Sequence, residues 1–187
     1  IKALQSLLNL GARVRDNLLT GAPTDKLIFR EINNYQKWAE KDGNFAKTHF
    51  LPVFVMVVAR PKQNIESLST TMEKKMKQLA EKHRIMLAMN YKARDQNIGI
   101  NKTDLNFRQP PLLYGIIVTS TIVVFVTLDS AKQDAHVRHM QHFDFQERGS
   151  DAWVGIAIAI LITVARNYIM SIKDELKHDE SNDDVDL

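Results

Sequence analysis

Apolar residues in the first half of the chain follow a helical period twice and then the pattern of a strand. They recur at helical spacing over residues 2–20 and again over 24–41, with Gly21 and Pro23 between the two stretches. The run FLPVFVMVVA at 50–59 is apolar and rich in β-branched residues, which is typical of an inner strand of a parallel sheet that is buried on both faces. The pattern therefore predicts two helices followed by one buried strand.

The second half of the chain predicts a long helix, three strands and a final helix. Asn64 is a suitable N-cap for the long helix, whose apolar stripe continues to Met86. Residues 92–109 are polar and contain Gly99, so we expect a loop there. Two apolar runs, 112–118 and 122–128, then predict a hairpin. The more polar run VRHMQHFDF (137–145) predicts an edge strand, and the apolar run at 151–176 predicts a helix.

These elements predict a single mixed α/β domain, of the α+β type, over residues 1–176. Their order is α-α-β-α-β-β-β-α, and we expect a mixed sheet of about four strands flanked by helices. A strand followed by a helical crossover and another strand favours one parallel pair beside the hairpin. Residues 177–187 are strongly acidic and are expected to form a disordered tail. The length of 187 residues agrees with one domain.

The charge is unevenly distributed along the chain. The whole sequence has 25 Lys and Arg against 22 Asp and Glu, a net charge of +3. Residues 173–187 hold two Lys and seven acidic residues, so the remainder holds 23 basic and 15 acidic side chains, a net charge of +8. Such a basic body is either a solvated surface or a surface that contacts nucleic acid. In the second interpretation the contacts come from the polar loop, through Lys92, Arg94, Lys102 and Arg108.

Several chemistries are excluded by what the sequence lacks. Without cysteine the chain has no disulfide scaffold, thiol nucleophile or finger-type zinc site. It contains no G-x-G-x-x-G or G-x-x-x-x-G-K-[ST] phosphate loop and no G-x-S-x-G nucleophile elbow. Of its two long apolar stretches, 110–128 has the composition of a hairpin, and 153–165 is too short to span a membrane. We therefore expect no membrane partner.

Histidines cluster on the last predicted strand. Strict alternation along that strand places His136, His142 and Asp144 on one face and His139 on the other. The first three residues form the candidate metal site. The preferred interpretation is a polar edge strand with solvated or paired imidazoles, and a pH-sensing surface is a further alternative.

The order of elements and one strand motif resemble a known fold. A helix, a buried strand, a crossover helix and a strand pair led by Tyr114–Val118 (YGIIV) resemble the restriction-endonuclease-like fold over roughly residues 24–170. The resemblance implies a nuclease whose Mg²⁺ or Mn²⁺ is held by an Asp and a Glu, with a Lys two residues beyond the Glu. The signature itself is missing, because the strand at 50–59 has no carboxylate and the nearest E-x-K string begins at Glu73 on the long helix.

Three carboxylates remain candidates for a diverged active site of this kind. Glu31 could take the place of the helix glutamate that the resemblance implies, helped by Asp129 or Asp144 near the strand ends. The alternative for Glu31 is a helix-surface carboxylate beside Arg30 or Lys26. Because no convergent acid–base set is evident, we expect no catalytic residue and no cofactor, and Mg²⁺ or Mn²⁺ belongs to the rival nuclease interpretation.

The sequence favours a non-catalytic interaction or oligomerisation domain of a larger intracellular protein, nuclear or cytoplasmic. The last helix is apolar on all sides at its start, so it must be covered by the domain or by a partner. Its candidate interface residues are Ile158, Ile162 and Ile169. The expected partner is another protein or a second copy, with nucleic acid as a further partner, and the rival interpretation is the diverged nuclease.

Overall fold

The computed structural model describes residues 2–45, 50–60, 63–97 and 109–180. Within these ranges the predicted order of elements and the mixed α+β class are confirmed, and the first predicted helix is divided in two at Asn9. The elements are α1 (Lys2–Leu8), α2 (Leu10–Thr20), α3 (Thr24–Asp42), β1 (Phe54–Val58), α4 (Ile65–Asn97), β2 (Leu112–Thr119), β3 (Ile122–Asp129), β4 (Arg138–Asp144) and α5 (Asp151–Glu180).

The described strands form one sheet in the order β1-β2-β3-β4. β1 runs parallel to β2 through the α4 crossover, whereas β3 is antiparallel to both β2 and β4. A two-residue turn, Ser120-Thr121, joins β2 to β3, and Ser120 has a positive φ of 52°. The structure thus confirms the hairpin, the parallel pair and the edge position of β4.

The prediction that residues 50–59 form an inner strand was wrong, because β1 lies at the other edge of the sheet. Helices nevertheless cover both of its faces. α4 contacts β1 on one side, and on the other side Phe54 lines a small cleft with Ala39 of α3 and Ile162 of α5. An edge strand covered on both faces has the same apolar composition as an inner strand, so composition alone does not distinguish them.

The helices form two layers, one on each face of the sheet. α4 packs against β1, β2 and β3, whereas α3 and α5 pack against the other face of β2 and carry α1 and α2 on their outer side. Gly115 of β2 leaves space for side chains of β3 and α4. A β-carbon at this position would lie 2.8 Å from Cγ2 of Val126 and 3.1 Å from the sulfur of Met72.

Two predicted irregular segments are partly helical. The expected loop at 92–109 was wrong for residues 92–97, because α4 continues to Asn97; residues 98–108 lie outside the described residues. The segment KARDQN consists mostly of good helix formers, and these extend the helix beyond its apolar stripe. The expected tail at 177–187 was wrong for residues 177–180, which end α5, and residues 181–187 lie outside the described residues.

A bidentate ion pair joins the second helix to the last one. The Arg15 guanidinium donates to both carboxylate oxygens of Asp151, over 2.7 Å and 2.6 Å, and also to the Phe145 carbonyl oxygen over 3.1 Å. Gly11 leaves the space that this carboxylate occupies, and Gly155 allows α5 to approach the backbone of Leu7. The N-terminal helices are therefore packed against the start of the last helix.

Candidate interaction surfaces

The three candidate catalytic carboxylates do not form one site. Asp129 ends β3 opposite Leu112, whereas Asp144 ends β4 opposite Ile122, at the other end of β3. Seven residue steps of extended chain lead from Ile122 to Asp129, which corresponds to about 24 Å. One metal ion therefore cannot bind both Asp129 and Asp144, and the three candidate carboxylates do not share one metal centre.

Glu31 is buried among arginines and is not the surface carboxylate that one interpretation expected. Its side chain is 5% exposed, and its Oε1 accepts hydrogen bonds from Nη2 of Arg13 at 3.0 Å and from Nε of Arg30 at 3.1 Å. Burial raises the pKa of Glu31, but the hydrogen bonds and charges of Arg13 and Arg30 outweigh it, and the net pKa is lowered. Glu31 is therefore an ionised group that holds two guanidinium groups in place.

The histidine cluster is rearranged by a β-bulge. The register between β3 and β4 shifts at Phe125/Val126, so that Gln141 lies opposite Phe125 while His139 lies opposite Val126. The additional residue brings the rings of His139 and His142 to a centroid distance of 5.7 Å. Strict alternation, which placed His139 on the opposite face, was therefore the wrong geometry for this strand.

The predicted metal site is not assembled from these residues. His136 is engaged by α4, where its Nδ1 lies 3.2 Å from Oε1 of Glu73, and this oxygen also accepts a hydrogen bond from Lys77. Asp144 Oδ1 accepts the backbone N–H of Gln146. Among the residues that the structure describes, no group of three His, Asp or Glu side chains is placed to hold a metal ion. The paired, solvated edge strand is the interpretation that agrees with this geometry.

A buried histidine was missed at the sequence level. His83 is 1% exposed, and its Nε2 lies 2.9 Å from the Pro52 carbonyl oxygen, which only a protonated Nε2 can satisfy. Burial lowers the pKa of His83, although the hydrogen bond to Pro52 acts in the opposite direction. The available signal was spacing, because His83 continues the helical stripe that contains Met72, Met76 and Leu79.

Two of the four predicted nucleic-acid contacts belong to α4. Lys92 and Arg94 belong to the last turns of α4, where the backbone is described but the side chains are not. Lys102 and Arg108 lie outside the described residues. The role of these four residues stays a prediction.

The predicted interface residues of α5 lie in the core. Ile158, Ile162 and Ile169 are 0%, 3% and 8% exposed, so the domain itself covers them. The helix is apolar all round, and the isoleucines at 156, 158, 160 and 162 alternate between core and solvent. The exposed apolar positions follow a spacing of three and four residues and are Trp153, Ile156, Ile160 and Val164. We call these four residues the α5 face.

The α5 face is free of charge. Residues 152–165 contain no charged side chain. The charges at both ends are paired within the molecule, since Asp151 binds Arg15 and Arg166 binds Asp42 at 2.6 Å. Residues 151–171 are long and apolar enough to cross a membrane by length and composition, and 44% of the most apolar window is buried inside the molecule.

Comparisons with protein-family models, curated proteins and solved structures find no match to this chain.

Proposed function

We propose that this chain is a non-catalytic interaction domain that binds a second copy of itself through the α5 face. The observation that carries the proposal is the stripe of four exposed apolar side chains on one helix. Trp153 is 70% exposed, Ile160 58%, Val164 41% and Ile156 36%. Contiguous exposed apolar side chains of this size are typical of interaction sites.

A second copy is the partner that matches the charge pattern. The α5 face is uncharged and its flanking charges are engaged within the molecule, so a partner gains nothing from charged side chains there. A two-fold axis brings the same surface patch of two copies together, and an uncharged stripe is complementary to itself. From Trp153 to Val164 the stripe is about 16 Å long, so two antiparallel α5 helices would cross close to Ile160.

The size of the α5 face sets the expected affinity. Stable interfaces commonly use about 20 to 30 residues from each side. Four apolar side chains with their immediate neighbours form a smaller surface, so we expect association in the micromolar range. The domain then acts as a weak dimerisation element, whose effect increases when a larger protein holds several copies together.

The rival proposal, a diverged metal-dependent nuclease, has less support. Its candidate carboxylates Asp129 and Asp144 lie at opposite ends of β3, and Glu31 is engaged by two arginines. The likeness to the restriction-endonuclease-like fold is kept as a proposal about the fold, without the metal chemistry.

Sedimentation equilibrium with the substitution Ile160→Glu tests self-association. The wild-type chain is expected to shift from monomer to dimer between about 1 and about 200 µM. Ile160→Glu places a charge in the centre of the stripe and should remain monomeric over the same range. Leu19→Glu is the matched control, because Leu19 is an exposed apolar residue (87%) on a different helix, and this variant should dimerise like the wild type.

Three results would contradict the proposal. A wild-type chain that is monomeric at the highest concentration would exclude self-association, and equal behaviour of Ile160→Glu and Leu19→Glu would exclude the α5 face as the contact. The third is binding to neutral phosphatidylcholine vesicles that Ile160→Glu abolishes, in a chain that stays monomeric in solution. That result would make a lipid surface the occupant of the face.

A further inference from the structure

A cleft of about 640 Å³ opens between the start of α3, the end of β1 and the first turns of α4. We call it the β1 cleft. Because β1 is parallel to β2 and α4 is the crossover that follows it, the cleft lies at the carboxyl end of a parallel strand. Ligands of open α/β sheets bind outside these strand ends, and the volume is within the range of small-molecule sites.

Three cations line the β1 cleft, each from a different element: Lys26 from α3, Arg60 from the segment after β1, and Lys75 from α4. None of their side chains forms an ion pair or hydrogen bond with any residue that the structure describes, and the described residues that line the cleft include no acidic side chain. Two other cations of α4, Lys77 and Arg84, instead bind carboxylates on their own helix. Unpaired cations around one concave surface create a site for a multivalent anion.

The rest of the β1 cleft is suited to a ring as well as to an anion. Its apolar lining includes Phe29, which is 39% exposed, together with Met56 and Val58. Exposed aromatic and thioether side chains are surfaces on which a nucleobase stacks. Neutral hydrogen-bonding side chains border the same space, namely Gln63, Ser67 and Thr71. A cleft for inorganic anions alone would not need the apolar lining.

The basic surface continues into an adjoining cleft of about 500 Å³. Lys26 lines both clefts, and the second one also contains Arg13 and Arg30. Glu31 holds these two guanidinium groups in place through its Oε1, and Asp16 is the acidic residue of the lining. A phosphate chain bound near Lys26 could therefore extend towards two further cations.

From this arrangement we propose that the β1 cleft binds a nucleoside phosphate. The phosphates are held by Lys26, Arg60 and Lys75, and the base lies over Phe29 and Met56. The ligand is either a free nucleotide or a nucleotide unit of a single strand, because both present the same phosphate and ring chemistry. The site shares no residue with the α5 face, so the two proposals can be tested independently of each other.

Isothermal titration calorimetry with metal-free ATP, tripolyphosphate and adenosine separates the two parts of this recognition. ATP should bind saturably at one site per chain, with a Kd on the order of 10 to 100 µM. Tripolyphosphate should bind roughly fivefold more weakly or worse, and adenosine should show no measurable binding, because charge-assisted contacts supply most of the affinity.

Substitutions in and beside the cleft localise the site. Lys75→Gln should weaken ATP binding by about tenfold, since a charge-assisted phosphate contact is lost. Lys74→Gln makes the same change in net charge at an exposed position of the same helix outside the cleft, and should change the Kd less than about twofold. Phe29→Leu should weaken ATP but leave tripolyphosphate binding unchanged. These positions are exposed, so circular dichroism and the melting temperature should match the wild type.

Some results of these binding experiments would contradict the proposed site, and one would assign its ligand. Absence of saturable ATP binding at millimolar concentration, or equal losses in Lys75→Gln and Lys74→Gln, would overturn the site. Tripolyphosphate binding as tight as ATP binding would overturn the role of the apolar lining. A single-stranded oligonucleotide that binds far more tightly than ATP, with the same dependence on Lys75, would support the site and assign the nucleotide to a strand.

Discussion

His83 is a titratable side chain built into the apolar face of α4. Its ring is almost fully buried beneath the segment that carries Pro52, and Nδ1 has no hydrogen-bond partner among the described residues. The lowered pKa follows mainly from burial, since the hydrogen bond to Pro52 opposes it. The neutral ring suits this environment, and a second proton would place a charge against apolar neighbours.

The lowered pKa of His83 predicts acid sensitivity in a defined window. The unfolded chain takes up the proton near the ordinary value of 6.5, whereas the folded chain does so only at lower pH. Just below pH 6.5 the unfolded state therefore binds more protons than the folded state. As the pH is lowered through this window, the free energy of unfolding falls by up to about 1.4 kcal/mol per pH unit. Urea unfolding at pH 7, 6 and 5 measures this slope, which should be shallower in His83→Gln. Identical slopes in both proteins would show that the ring titrates normally.

At the scale of elements, periodicity predicted the helices and the hairpin because both depend on regular spacing. It missed the bulge in β4, since one additional residue at the Phe125/Val126 register shift leaves no trace in a polar strand. It also could not orient α5, because apolar residues surround that helix and only the packing decides which of them face solvent. The same limitation led to the choice of Ile158, Ile162 and Ile169 as interface residues.

The packing of Gly115 in β2 against Val126 of β3 and Met72 of α4 predicts a cost for one added methyl group. In Gly115→Ala the new β-carbon would lie 2.8 Å from Cγ2 of Val126 and 3.1 Å from the Met72 side chain. Forcing additional volume into a packed contact costs about 1–3 kcal/mol of unfolding free energy. Chemical denaturation of Gly115→Ala, Val126→Ala and the double variant tests the cause. The double variant should lose less than the sum of the single losses, and strict additivity would show that this contact is not responsible.

At the scale of the whole molecule, part of the excess of basic side chains is concentrated at the β1 cleft. Lys26, Arg60 and Lys75 stand on different elements, so only the fold brings them to one cleft. The sequence indicated the sign of the charge and predicted contacts in the polar loop, but it could not indicate that these three cations line one cleft. Asp129 and Asp144 lie apart for a related reason, because the order of strands along the chain was used without asking at which end of the sheet each side chain lies.

The pairing of Arg15 with Asp151 joins the N-terminal helices to α5 and predicts how the molecule unfolds. The hydrogen bond from Arg15 lowers the pKa of Asp151 further than partial burial raises it. Its contribution to stability is therefore present above the ordinary pKa of an aspartate and is lost as the pH falls through the lower folded value. Arg15→Gln should reduce the free energy of unfolding at pH 7 by about 1–2 kcal/mol, while thermal unfolding remains a single transition.

Lys132→Gln is the appropriate comparison, because it breaks an exposed ion pair with Asp129 that lies within one turn and joins no helices. Such surface pairs contribute about 0–1 kcal/mol. Both substitutions remove one positive charge, but Arg15→Gln should lower the free energy of unfolding more than Lys132→Gln does. This difference should become smaller at low pH, where Asp151 becomes protonated. Equal losses would mean that Arg15 acts only as one more surface cation. Two separate thermal transitions in Arg15→Gln would mean that α1 and α2 can detach from an otherwise folded sheet, and that this ion pair is what unites them with the rest of the domain.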